Sequence, residues 1–428
     1  MGVREPSAKY LASRPFRQTE LGAIPADWIE HTIENLIDFK GGSQPDKSVF
    51  SQTLKPGYIR LIQIRDYKSD RFETYIPRVL ARRFCGEDDI MIGRYGPPIF
   101  QVLRGLAGAY NVALIKATPH PEVDRNYAYY YLTQEKLFRF VEKLSQRSSG
   151  QTGVDLKELR LYPFPIPPTE KEQEAIADAL SDADALIESL EQLLAKKRNI
   201  KQGAMQELLT GNKRLPGFSG EWEGKSMGEL FEFSGGFSAS REQLSFEGHC
   251  YLHYGDIHMS PKTFVDVRAE YEEIPKLDIP LKKISPSSLL VDGDVVFVDA
   301  SEDDEGVSKH VVIVNKDRTP FISGLHTIVA KTKGDGLDHA YRRFCFQTSS
   351  IKQQFRFFAV GTKVSGISKA NIGKVRLPVP PNSEQAAIAA ILSDMDAEIA
   401  ALGGKLIKAR GIKQGMMQEL LTGRIRLV

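Results

Sequence analysis

Residues 180–211 read LSDADALIESLEQLLAKKRNIKQGAMQELLTG, and residues 392–423 read LSDMDAEIAALGGKLIKARGIKQGMMQELLTG. The two stretches align without gaps and are identical at roughly two positions in three. A repeat of this length decides the architecture, because whatever one copy builds the other must build again. Ile176, Leu180, Ala183, Ile187, Leu190 and Leu194 follow one another at spacings of 4, 3, 4, 3 and 4, and Ile388, Leu392, Met395, Ile399, Leu402 and Leu406 repeat those spacings. This is the seam of a coiled coil, a single apolar stripe that needs a partner, and the natural partner is the other copy. A helix from about 170 to 210 would be roughly 60 Å long, a spacer as well as a core element. Gly403-Gly404 is expected to weaken the second helix locally.

Working outward, each copy follows a proline pair and an acidic, Gln-containing start: Pro167-Pro168 before TEKEQEAI, Pro380-Pro381 before NSEQAAI. Prolines just ahead of helix formers mark a helix start. Farther upstream, DWIEHTIENLIDFKGGSQP (27–45) answers EWEGKSMGELFEFSGGFSA (221–239), setting Trp28 against Trp222 and Gly41-Gly42 against Gly235-Gly236. Beyond these, 40–165 and 235–378 share almost nothing. Both still carry β-branched or aromatic runs (YIRLIQIRDY, DVVFVDA), Gly- and Pro-rich loops, and one helical patch each, YAYYYLTQEKLFRFVEKL and AYRRFCFQTSSIKQQFRFF. The expected class is α+β, with an N-terminal arm over 1–20, a globular unit over 21–166, a long helix over 167–211, a second unit over 212–379, and a second long helix with a tail over 380–428. Packing the second stripe on the first turns the chain back on itself. The expectation is therefore two antiparallel coiled-coil helices joining two α/β-type heads, related by a pseudo-twofold, with the heads inverted relative to each other. Inverted heads suit a target with antiparallel strands.

The length of 428 residues is too great for one core of ordinary size. Lys and Arg outnumber Asp and Glu by only 57 to 55, so any nucleic-acid binding has to come from a local basic surface. Cys85, Cys250 and Cys345 are far apart and form no metal-ligand pattern, which reads as a reduced, cytoplasmic chain without structural zinc. The start MGVREPSAKYLASRPF has no apolar signal core, and Pro6 breaks a myristoylation pattern. No apolar run approaches the roughly 20 residues that span a bilayer, so no membrane partner is expected.

The catalytic signatures do not match. GEWEGKS (220–226) is one residue too short before Lys225 for a phosphate-binding loop, and it lacks a preceding hydrophobic strand. GPPI (96–99) lacks the polar first and aromatic last residues of an amino-methyltransferase loop. Neither a nucleophile elbow nor a His-Glu-x-x-His helix is present. What remains is recognition, with no catalytic residue and no metal site. In the first unit, GRYGPPIFQVLRG (93–105) places Arg94, Tyr95, Gln101 and Arg104 in a Gly/Pro-rich loop, side chains that read base edges and stack on bases, and SQRSSGQTGVD (145–155) adds Arg147, Gln151 and Thr152. In the second unit, YLHYGDIHMS supplies His253 and Tyr254; its His253 and His258 lack a third metal ligand nearby. EGVSKHV and VGTKVSGISK supply Lys309, His310, Lys363 and Ser365. The acidic run DASEDDEG (299–306) would repel phosphate and reads as a solvated turn, with acceptance from a cytosine amino group as the other reading.

The duplicated PP…EQ…AI…LSD…IKQG-x-MQELLTG segments and the Trp/Gly-Gly entries resemble the specificity subunit of type I restriction–modification systems over nearly the whole chain. The strings DDIMIGRYGPPIFQVLRGLAGAYNVAL and GDVVFVDASEDDEGVSKHVVIVN are similar to recurrent target-recognition sequences, which implies DNA contact by Arg94, Tyr95, Lys309 and their neighbours. The resemblance implies that each variable unit reads one half of a bipartite site in double-stranded DNA. It also implies that the helices set the gap and dock two methyltransferase subunits. In the full nuclease two ATP-driven motor subunits join them. S-adenosylmethionine, ATP and magnesium are then expected on the partners and no cofactor on this chain. Half-sites one turn apart lie about 34 Å from centre to centre, within the span of such helices. The alternative is a non-catalytic two-headed protein scaffold that does not read DNA.

Overall fold

Both proline pairs sit where a strand gives way to a helix. Strand Pro163–Ile166 precedes a helix over Glu170–Leu208, and strand Arg376–Val379 precedes a helix over Asn382–Leu420, each helix 39 residues long. The computed structural model describes residues 15–145, 153–260, 262–301, 306–361 and 365–427. Gly403-Gly404 does not interrupt the second helix. No helix among the described residues is long and apolar enough to cross a membrane.

The chain folds into two compact units, one running up to Glu191 and resuming at Lys405, the other formed by Gln192–Gly404. The division differs from the sequence reading, in which the helices were segments separate from the heads. Each long helix gives one half to each unit, because its apolar residues are shared with the globular cores. Ile176 and Leu180 lie in the first unit's core with Leu420 and Leu421, while Ile388 and Leu392 lie in the second unit's core with Leu208 and Leu209. Leu194, Leu402 and Leu406 are buried, and Ile187, Leu190, Met395 and Ile399 are half-buried. Within the first unit Asp184 meets Lys413 and Glu191 meets Arg410, both at 2.5 Å. Within the second, Lys197 meets Glu398 at 2.6 Å and Lys201 meets Asp396 at 2.5 Å. In each unit the residue numbers rise along one helix as they fall along the other, so the segments pack antiparallel.

The repeated LLTG ends each helix against the tryptophan of its unit. Gly211 and Gly423 take left-handed φ values of +75° and +69°, the helix-terminating conformation that only glycine adopts without cost. A Cβ on Gly423 would come within 2.5 Å of Pro25 Cγ and 3.0 Å of the Trp28 ring. One turn later Arg214 grips the carboxylate of Glu384 through Nε and Nη2, both at 2.6 Å, and Arg426 grips Glu172 in the same two-pronged way. Beside each glutamate a buried glutamine repeats the lock. Gln173 accepts from Asp124 N at 2.8 Å and donates to Glu122 O at 3.1 Å; Gln385 accepts from Asp338 N at 2.7 Å and donates to Gly336 O at 3.1 Å.

The globular parts share a topology that their sequences conceal. The first unit has an antiparallel sheet in the order Ile37–Gly41, Leu114–Pro119, Ile90–Gly93, Val102–Leu103, and a second sheet ordered Tyr75–Pro77, Tyr58–Ile62, Gly108–Tyr110, Phe84–Cys85, whose middle pair is parallel. The second unit answers with Phe231–Gly235, Thr327–Thr332, Val295–Val298, His310–Val314, Phe264–Asp266, antiparallel except for its last pair, and with Leu244–Ser245, Lys276–Leu277, His249–Leu252, Phe321–Ser323, whose last pair is parallel. The glycine pairs lie where two backbones meet. A Cβ on Gly42 would fall 1.9 Å from Asn111 O, and one on Gly236 1.7 Å from Gly324 O.

Three expectations are corrected locally. The patch at 127–144 is two helices, Arg125–Leu132 and Glu135–Ser145, because the Thr133 hydroxyl donates back to Tyr130 O at 2.8 Å and closes the first. In 340–358, a 3-10 turn over Tyr341–Arg343 precedes a helix over Ser349–Phe358, capped by the Thr348 side chain accepting from Ile351 N. The arm over 1–20 is in its described part not an arm, since Phe16–Thr19 pairs with Gly22–Pro25 as a hairpin and Arg17 donates to Trp28 O at 3.0 Å.

Candidate DNA-reading surfaces

In the first unit the strand Ile90–Gly93 runs into the loop 94–101, which closes when Gly93 N donates to Gln101 O at 2.8 Å. Ile99 and Phe100 are buried and anchor it, leaving Tyr95 to Pro98 outward. Arg94 N donates to Ala113 O at 2.8 Å, Val154 N donates to Arg94 O at 3.0 Å, and Tyr95 bridges Gly153, so the backbone here is held from two sides. The Arg94 guanidinium lies 5.3 Å from the centre of the Tyr95 ring, whose edge is exposed. A cation stacked beside an exposed ring suits a nucleobase or a phosphate.

The other residues expected there do not join the pair. Gln101 donates to Pro98 O at 3.0 Å and braces its own loop. Arg104 bonds Asn126 Oδ1 at 3.0 Å and lies 3.9 Å over Tyr129. It sits at the opposite end of the sheet, because Leu103 pairs with Met91 in an antiparallel register. Arg147, Gln151 and Thr152 lie outside the described residues. Sequence reasoning missed Arg65 and Arg71, whose guanidinium groups lie 5.6 and 5.4 Å from the half-exposed Phe72 ring. Arg65 lies in the 3-10 turn Ile64–Tyr67 and Arg71 in the next one, Asp70–Phe72; a Cβ on Gly93 would lie 3.3 Å from the Ile64 side chain. The alternation of basic and aromatic residues in IRDYKSDRF was the signal, hidden by reading the run as strand alone.

In the second unit the strand Val295–Val298 ends at the equivalent place. Asp299 N donates to His326 O at 3.2 Å and Ile367 N donates to Asp299 O at 2.8 Å, while Ala300 and Ser301 pair with Gly366 and Ser365. The short helix Tyr254–Met259 borders a cavity of about 420 Å³ lined by Tyr254, His258, Met259, Ala300, Ser301 and His326. His258 Nε2 lies 2.8 Å from Ser301 Oγ, and Tyr254 packs edge-on to His326 with ring centres 5.5 Å apart. Tyr254 therefore lines this cavity beside His326. Ser365 takes part through its strand pairing with Ser301.

Three expected contacts are structural. His253 is buried and caps the short helix, its Nδ1 accepting from Gly255 N at 3.0 Å; burial, with Arg241 nearby, lowers its pKa. Lys309 donates its ammonium to the carbonyl of His258. His310 is a core residue packed 5.5 Å from Phe297 and 5.0 Å from Phe346, and burial pushes its pKa down to about 4. In HVVIV the alternation of a strand puts His310 on the same face as Val312, toward the core. Lys363 lies outside the described residues. Among the described residues no group of three or more His, Cys, Asp or Glu is placed to hold a metal ion.

The chain is similar to known proteins over its whole length. The model of the type I restriction modification DNA specificity domain matches twice, at residues 25–197 and 219–409. The type I restriction enzyme MjaX specificity subunit of Methanocaldococcus jannaschii is 23% identical, with 98% of each chain covered. The MjaVIII specificity subunit of the same organism is 22% identical, again with 98% of each covered. Among solved structures, the type I restriction–modification S subunit from M. genitalium superposes with a TM-score of 0.56 at 16% identity, covering 92% of this chain and 96% of that one, a likeness of fold. Two family matches, one on each half of an internally repeated chain and together spanning most of it, place the protein in the family of type I restriction–modification DNA specificity subunits.

Proposed function

We propose that each unit reads one half of a bipartite DNA site, and that the two 39-residue helices, each about 58 Å long, set the gap between the halves. The carrying observation is that Arg94 in one unit and Asp299 in the other occupy the same hydrogen-bonded backbone position with opposite charges. Identical frames bearing different side chains are what two different half-sites require, since base edges are told apart by donor and acceptor pattern. The duplicated helix ends serve as docking surfaces for two methyltransferase subunits and, in the full nuclease, two motor subunits. S-adenosylmethionine, ATP and magnesium belong to those partners, and the complex acts in the cytoplasm.

The test is a single-molecule map of adenine methylation in the source strain, in a deletion of this gene, and in the deletion carrying Arg94→Ala. A split motif that disappears with the deletion and becomes degenerate at one base of one half-site with Arg94→Ala supports the reading. Uniform weakening across sequences would make Arg94 a phosphate contact. An unchanged methylation pattern in the deletion would refute DNA reading.

A further inference from the structure

The correspondence between units extends to the residue that accepts each backbone bond. Ala113 stands in the first unit where His326 stands in the second, as the partners of Arg94 and Asp299. We propose that His326 reads a base edge in the half-site of the second unit, with Asp299 as the residue that positions it; this rests on the DNA-reading function above.

His326 has φ +58°, a conformation seldom adopted by residues other than glycine. Asp299 holds it there twice, donating N–H to its carbonyl at 3.2 Å and facing Nδ1 with Oδ1 at 3.3 Å. A carboxylate only accepts, so Nδ1 carries the proton, and in the neutral ring Nε2 is an acceptor. That acceptor matches the exocyclic amino group that adenine or cytosine shows in the major groove. The side chain of His326 is 50% exposed, and the edge of Tyr254 fixes the plane of its ring. The adjoining 420 Å³ cavity carries the His258–Ser301 pair on one wall and Met259, 83% exposed, at its rim, which offers apolar contact for a thymine methyl group. In the first unit the Ala113 methyl can make no hydrogen bond, and readout passes to Arg94.

The experiment expresses the full chain with its methyltransferase partner in a strain lacking this gene and compares wild type, His326→Asn, Asp299→Ala and Asp299→Asn. Asparagine tolerates the left-handed backbone, so His326→Asn removes the ring without straining the turn. The expected result is loss of base preference at one position of one half-site, making the motif about four times as frequent, with the other half-site unchanged. Asp299→Ala relaxes the same position, and Asp299→Asn, which still accepts a hydrogen bond, retains the preference. Competition between the cognate duplex and duplexes substituted at that position then shows discrimination falling from roughly tenfold or more toward unity. A wild-type motif from His326→Asn, or equal weakening on cognate and substituted duplexes, overturns the proposal. If the wild-type chain itself directs no split motif, it is the DNA-reading function that fails.

Discussion

Replacing Arg426 by alanine is expected to destabilise the first unit by about 4 kcal/mol, and more than the matching Arg214→Ala destabilises the second. Arg426 sends Nε and Nη2 to the two oxygens of Glu172 and Nη1 to Asp27 at 2.9 Å. The Glu172 side chain is 2% exposed, so truncation strands a buried carboxylate, a loss of about 3–5 kcal/mol. The partly exposed Asp27 adds less than about 1 kcal/mol. Glu384 keeps a partner after Arg214→Ala, because Trp222 Nε1 donates to it at 3.1 Å, whereas Trp28 Nε1 has no acceptor among the described residues. One retained bond to a charged group is worth about 1.5–3 kcal/mol, so Arg214→Ala should cost about 2 kcal/mol. The chain's two tryptophans, one per unit, make the assay direct. In a Trp222→Phe background Trp28 fluorescence reports urea unfolding of the first unit, and Trp28→Phe isolates the second. With a slope of about 2–3 kcal/mol/M, Arg426→Ala lowers the midpoint by more than about 1 M. Adding Glu172→Gln to Arg426→Ala should recover much of the loss, since no charge is then left buried. Equal shifts for the two arginines, or no recovery in the double variant, would refute the reasoning.

Other outcomes follow from single contacts. Gly42→Ala and Gly236→Ala place a methyl group within 1.9 and 1.7 Å of a carbonyl oxygen and should each cost about 3 kcal/mol or more. Gly41→Ala, with nothing within 4 Å of its new Cβ, is the near-neutral control in the same thermal denaturation series. His310, with its pKa lowered to about 4, stays neutral in the fold while the unfolded chain binds a proton below about 6.5. Its contribution is therefore complete above pH 6.5 and declines as pH falls toward 4, by up to about 3 kcal/mol. His310→Phe, packed against Phe297 and Phe346, should flatten the stability profile between pH 4 and 6.5, and an unaltered slope in urea titrations would exclude His310 as its source.

The long helices, their proline starts and their LLTG ends were legible because every residue that makes them lies within a few turns of sequence and is written twice. The antiparallel pairing followed from one stripe needing another, and Asp184–Lys413 and Lys201–Asp396 are the same pair used in both units. Side-chain roles in the diverged regions were less legible. Lys309 and His310 look alike beside a loop, yet one caps a helix and the other fills a core. Arg94 and Arg104 share one loop string but lie at opposite ends of a strand pair, because Val102–Leu103 runs back antiparallel along Met91–Ile92.

By itself the sequence determined the doubled architecture, since a repeat with one apolar stripe per helix has few ways to bury both. Only the tertiary structure decided which residues come together on each candidate surface. The bonds from Arg94 to Ala113 and from Asp299 to His326 join residues far apart in a chain whose two halves share no sequence there. Backbone groups form those bonds whatever the side chains are, so the common frame leaves no trace in the amino-acid pattern until the strands are seen side by side.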